Sequence, residues 1–147
     1  MKKRWIALGS LAAAGAGYAA WANKRLFLVS DVTTGESAAY PHLRSRVYYA
    51  EPAAALAAAQ QAIRSLPRWR VVFADTDNDA VEAEAETLVG GFLDDVTVYA
   101  VPLGHGQTRV TIRSRSRVGG GDLGQNAAHI RELQQAMDER LTGDAAF

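Results

Sequence analysis

Cysteine is missing from the chain altogether, and beyond residue 25 lysine is missing too. The first absence removes disulfide frameworks, thiolate zinc sites, cysteine nucleophiles and lipid attachment through a cysteine. Histidine occurs only as His42, His105 and His129, far apart and without the close pairing of zinc motifs, so no metal site is expected. No Gly-x-Ser-x-Gly elbow, phosphate-binding Gly-Lys-Ser/Thr loop or dinucleotide fingerprint occurs, and no cofactor is expected. What is present is ordinary: 147 residues, 48% hydrophobic and 22% charged, enough for a packed core and too few charges for a disordered chain. The length fits one domain.

Sixteen basic and sixteen acidic residues cancel in number but not in position. Lys2, Lys3, Arg4, Lys24 and Arg25 precede every acid; from Leu26 onward eleven arginines face sixteen acids, leaving −5 on the body. Nucleic-acid binding relies on neutralising phosphates, so no nucleic-acid partner is expected for such a body. Between the two cationic groups, Trp5 to Ala22 is an eighteen-residue run without charge, about enough for a helix to cross ~30 Å of hydrocarbon. Residues 1–25 therefore read as a membrane anchor or a signal segment, with residues 5–22 in contact with the membrane. Trp5 and Trp21 at its edges and the cations behind it suit an uncleaved span. Ala20-Trp21-Ala22 resembles a small-x-small cleavage site and suits a secreted product cut near Ala22. Three leading cations against two trailing ones put the N-terminus in the cytoplasm and the body on the periplasmic or extracellular side of the cell membrane.

Residues 26–45 have little periodicity and read as an extended lead-in to a single domain over 46–147. Arg46-Val47-Tyr48-Tyr49 is a short β-prone run. Glu51-Pro52 opens an Ala-rich helix to Ser65, with Leu56, Ala59, Ile63 and Leu66 on one face and Pro67 as its stop. Four strand-like runs follow: Trp69–Ala74, Ala80–Leu88, Val96–Val101 and Thr108–Val118. In the second, Val81, Ala83 and Ala85 alternate with Glu82, Glu84 and Glu86. In the fourth, Val110, Ile112, Ser114 and Ser116 alternate with Arg109, Thr111, Arg113, Arg115 and Arg117. A period of two means one covered and one polar face. Asp122, with Gln125 three residues on, predicts a capped final helix carrying Ile130, Leu133, Met137 and Leu141 inward and ending at Gly143. The expected fold is α+β: a two-layer sandwich of an antiparallel four- to five-stranded sheet with two helices on one face, preceded by the transmembrane or signal helix.

Asp75-x-Asp77-x-Asp79 with Glu86 at the twelfth place approaches a calcium loop, but Ala80 stands where the sharp turn needs glycine and the flanks read as strands. The constellation that could carry chemistry is elsewhere. Arginine at every second position of the fourth run puts guanidiniums on one sheet face, a geometry suited to carboxylate or phosphate. Asp94, Asp95, Arg113, Ser114, Ser116, Arg117, Asp122 and Asn126 are the candidate ligand-binding residues, with the arginines holding an anion and Asp94 and Asp95 orienting them. The expected function is a non-catalytic binding or accessory module, its partner an envelope protein or a small anionic ligand. Two alternatives use the same residues: a hydrolase-like enzyme with Asp94 or Asp95 as general base, and a purely structural lock between sheet and last helix. Adjacent strand residues face opposite ways, so Asp94 and Asp95 need not share a site.

Asp31-Val32-Thr33-Thr34-Gly35, Tyr40-Pro41, Gly91-Phe92-x-Asp94-Asp95-Val96, Arg113-Ser114-x-Ser116-Arg117-Val118-Gly119 and Asp122-Leu123-Gly124-x-Asn126, continuing to Ile130-Arg131, form a combined pattern over residues 31–131. In this pattern the chain resembles a bacterial and plastid family known as domain of unknown function 1499. His129 stands where the family pattern has Arg. The resemblance implies an exported or membrane-attached single-domain protein and brings no activity, substrate or cofactor with it.

Overall fold

A computed structural model describes residues 29–75, 79–119, 121–141 and the backbone of 143–145. The anchor or signal segment expected over 1–25 lies outside the described residues, as do Asp77 and its neighbours in the Asp-rich turn; no described helix is long and apolar enough to cross a membrane. The elements are β1 (Asp31–Thr33), β2 (Arg46–Tyr48), α1 (Pro52–Ser65), β3 (Trp69–Asp75), β4 (Ala80–Glu86), β5 (Leu93–Gly104), β6 (Gln107–Ser116), α2 (Gln125–Asp138) and β7 (Gly143–Ala145).

The chain is α+β. Six strands run β3-β4-β5-β6-β2-β7, and β1 is a seventh that also pairs β6; every pairing is antiparallel. β5 pairs β6 from Asp94↔Ser116 to Gly104↔Gln107, across a tight turn in which Gly104, His105 and Gly106 all have positive φ. The opposite edge of β6 takes β2 at its start and β1 at its end. The sheet is thus wider than the four to five strands expected. β1 falls inside the segment read as an extended lead-in, and β7 begins at the glycine read as a helix stop. Strands of three residues are too short to display a period of two, so only their partners reveal them.

α1 starts on Pro52, whose fixed φ suits a first turn, and carries Arg64 in its last turn, where a cation complements the helix dipole. Leu56, Ala59 and Ile63 are fully buried by it, and Ile130, Leu133 and Met137 by α2. Both helices share one core with the inward residues of the sheet, among them Val81, Ala83, Val96, Val98, Val110 and Ile112. Each large apolar side chain so buried contributes about 1.5–3 kcal/mol. At the far end of α2, Tyr48 donates its hydroxyl to Asp138 Oδ1 at 2.7 Å and Arg46 Nε approaches Oδ2 at 3.3 Å, tying β2 to the helix. Burial, with the Asp138 carboxylate second, pushes the Tyr48 phenol above its ordinary value.

The start of α2 differs from the expected capping box. The helix begins at Gln125, and Gly124 precedes it in a left-handed conformation, φ 81°. Asp122 still caps, from outside the N-cap position: Oδ1 accepts the Gly124 N–H at 2.9 Å and Oδ2 the Asn126 N–H at 2.7 Å. Leu141 lies beyond the end of the helix and is half-buried.

Candidate functional site

The alternation of β4, β5 and β6 divides the candidate residues between the two faces of the sheet. Asp95, Arg113 and Arg117 lie on the outer face, which no described helix covers. Asp94, Ser114, Ser116 and Asn126 lie between the sheet and α2, and Asp122 sits in the turn that joins β6 to α2. Asp94 is 1% exposed while Asp95 beside it faces solvent, so the two carboxylates do not form a pair.

On the outer face, directly opposed residues form a row across five strands: Arg70↔Glu84, Glu84↔Asp95, Asp95↔Arg115 and Arg115↔Asp31. Such neighbours are close enough for charges to pair. Arg117, one pleat beyond Arg115, reaches across the sheet: Nε donates to Asp95 Oδ1 at 2.9 Å, and Nη2 donates both to Asp95 and to Glu84. Glu84 also takes a two-pronged contact from Arg70, its Nε at 2.6 Å. Arg113 clamps Asp31 with Nε at 2.9 Å and Nη2 at 2.5 Å. The bidentate geometry is the strong form of this bond. Hydrogen bonds from Arg117, then Arg70, hold the Glu84 carboxyl below its ordinary value although burial opposes them. Arg113 likewise holds Asp31 down. The same contacts raise the guanidiniums of Arg117 and Arg113.

Arg115 is different. It is exposed, and among the described residues it takes part in no hydrogen bond or ion pair; its field only helps to lower Asp31 from a distance. It borders a surface hollow of about 340 Å³ together with Arg113, Arg117, Asp95, Thr97 and Glu82. The stripe in the sequence runs through Arg115, yet spacing alone gave no ground for preferring it to its neighbours. Its pairing state decides that, and pairing is a property of five strands at once.

The inner face holds a polar cluster in a setting otherwise built of Val, Ile and Ala. Asn126, fully buried, accepts the Ser114 hydroxyl on Oδ1 at 2.6 Å and donates from Nδ2 to Ser116 Oγ at 2.8 Å and to the Ser30 carbonyl at 3.1 Å. With its N–H on Asp122, the side chain and backbone of one residue join β1's lead, β6, the Gly-rich turn and α2. His129, one turn on along the helix, places Nε2 3.2 Å from Asp94 Oδ2, without the alignment of a hydrogen bond. Trp69 stands edge-on to the imidazole, ring centres 5.4 Å apart at 87°, and donates its indole N–H to Glu132 at 3.0 Å. His129 was absent from the expected site. Its signal was available: Asn126, His129 and Ile130 follow helical spacing, so a histidine shares the face that buries an asparagine.

No group of three or more potential metal ligands occurs among the described residues. No curated protein matches the chain. Among solved structures, an HSP90 activator from Plasmodium falciparum is similar at 12% identity and a TM-score of 0.45, covering 79% of this chain and 100% of that one. A protein from Thermus thermophilus is similar at 12% identity and a TM-score of 0.40, covering 75% of this chain and 95% of its own. Residues 24–137 match the family model described as "Protein of unknown function (DUF1499)", and the chain belongs to that family.

Proposed function

We propose that this family member is a non-catalytic binding module, tethered by residues 5–22 in the cell membrane with its body on the outer side, and that the outer face of its sheet receives an anionic group from a small ligand or an envelope protein. The observation that carries the reading is Arg115: the middle guanidinium of three, without an acid partner among the described residues, beside a hollow whose other two arginines are already held in place. Arg113 and Arg117 are oriented by Asp31, Asp95 and Glu84, and orientation before binding lowers the cost of capture. A carboxylate or phosphate entering there meets one guanidinium without an acid partner among the described residues and two that keep further N–H groups beyond those bonded to Asp31, Asp95 and Glu84. The general-base alternative is less well supported, because Asp95 is tied to Arg117 and Asp94 is on the other face.

Inorganic pyrophosphate and citrate are suitable probes, titrated calorimetrically into the full-length protein. Arg115→Ala is expected to weaken binding at least tenfold without moving the melting temperature; equal affinity in the variant would remove the outer face from consideration. The tether is tested on the same preparation by measuring the mass of the N-terminus recovered from the membrane fraction. A chain beginning after Ala22 would replace the anchor by a cleaved signal.

A further inference from the structure

At the end of the sheet nearest the start of α2 lies a second hollow of about 430 Å³, distinct from the arginine face. Its rim comes from two loops, the β4–β5 turn with Val89 and Phe92 and the Gly-rich turn with Val118 and Leu123, and Asp94 and Ser116 also line it. The rim side chains are large, apolar and open to solvent: Val89 is 77% exposed, Phe92 53%, Val118 59% and Leu123 58%. Asp94, by contrast, is all but inaccessible and lines the hollow at its depth, with Oδ2 turned toward His129. An apolar mouth over one convergent polar group is the usual form of a small-molecule site.

The β4–β5 loop is built to hold this form. Thr87 fastens it: its hydroxyl donates to the Val89 carbonyl at 2.9 Å and accepts the Phe92 N–H at 3.0 Å. Gly90 stands at φ 87°, a conformation that side chains rarely adopt, and the Phe92 ring lies where its Cβ would be. Leu123 adopts a left-handed φ of 55°, which is uncommon and strained for a leucine, and it does so with its side chain exposed rather than buried. Burial therefore gives little back for that strain.

The charge of the pocket selects its occupant. No arginine, lysine or histidine lines it among the described residues, and its two acids are Asp94 and Asp122. Asp122 already accepts two backbone N–H groups, whereas Asp94 Oδ2 makes no hydrogen bond and has only the misaligned His129 beside it. We infer that this hollow is a binding site for a small molecule with an apolar body and a primary ammonium group, the ammonium donating to Asp94 and the body lying against Phe92, Val118 and Leu123. A ligand of that kind would cover the exposed rim and supply the donor that Asp94 lacks. An anion would meet two acidic side chains and, among the described residues lining the hollow, no cationic one.

The test is a titration of the full-length protein, labelled at Val and Leu methyl groups, with 2-phenylethylamine and separately with 3-phenylpropionate, followed by NMR. The amine is expected to shift the methyl signals of Val89, Val118 and Leu123 saturably, with a dissociation constant on the order of a millimolar or tighter, and the carboxylate to leave them in place. Asp94→Asn is expected to weaken the amine at least tenfold. Leu123→Asn guards against loss of folding in that variant, since asparagine tolerates the left-handed region: it should melt no lower than the parent and still bind the amine at least fivefold more weakly. Equal shifts with both probes, no shift with the amine, or undiminished binding by a folded Leu123→Asn protein would each overturn the assignment.

Discussion

The outer and inner faces of β5 and β6 take their side chains from alternate positions of the same two strands, and both faces are rich in polar groups. Outside, Arg113 and Arg117 are held by acids in contacts that stay partly in water, and Arg115 is left without an acid partner among the described residues; the Arg113 and Asp31 side chains are each 41% exposed. Inside, the groups are mostly neutral, are closed off from water and depend on one another. Contribution follows environment rather than formal charge. An ion pair in water exchanges hydration for contact and gains little, while a buried hydroxyl or amide deprived of its partner loses an interaction that nothing replaces. The charged face is therefore free to meet a partner, and the neutral face carries more of the stability.

That contrast is broken most directly at Asn126. Asn126→Ala leaves Ser114 buried without its acceptor and removes the donor to Ser116 and Ser30, and it should lower stability by about 3 kcal/mol, read in urea melts. A loss under about 1 kcal/mol would mean that the inner network is not what locks α2 to the sheet. Glu84 lies between the two cases, on the outer face yet only 7% exposed, and holds both Arg70 and Arg117. Glu84→Gln should cost about 1–2 kcal/mol at neutral pH. Its carboxyl and that of Asp31 titrate lower in the folded chain than their ordinary 4.5 and 3.8, so near those values the unfolded chain binds more protons. Their stabilisation is complete above the ordinary values and is lost as pH falls through the folded ones. Melting curves between pH 2 and pH 7 should show this acid limb in the parent and a shallower one in Glu84→Gln. The smallest effect belongs to Arg113→Ala, about 0.5 kcal/mol or less and reduced further by salt; a loss above about 2 kcal/mol would erase the distinction between the faces.

The elements whose sequences repeat were legible in advance. α1 runs from Pro52 to Ser65 as its Ala-rich face and its flanking prolines indicate, and the alternating runs became β3 to β6 with ends shifted by a few residues. The strong period of two in β6 also foretold that its arginines share a face. The candidate site was legible as a set of residues but not as an arrangement. Asp94 and Asp95 are adjacent in the chain and separated by the thickness of the sheet; Asn126 and Ser114 are twelve residues apart and in contact. His129 gave only the faint signal of a polar residue on a buried helical face, and β1 and β7 gave none.

The sequence by itself determined the local periods, the helix start at Pro52, the lysine-free acidic body and the cationic run before it, because each depends on residues near one another in the chain. Only the tertiary structure decided which of Arg113, Arg115 and Arg117 has no acid partner among the described residues, which carboxylate is buried, and that two apolar loops meet beside Asp94. Those are properties of register across strands and of helix placement on the sheet, set by contacts between residues far apart in the chain, which no local pattern encodes.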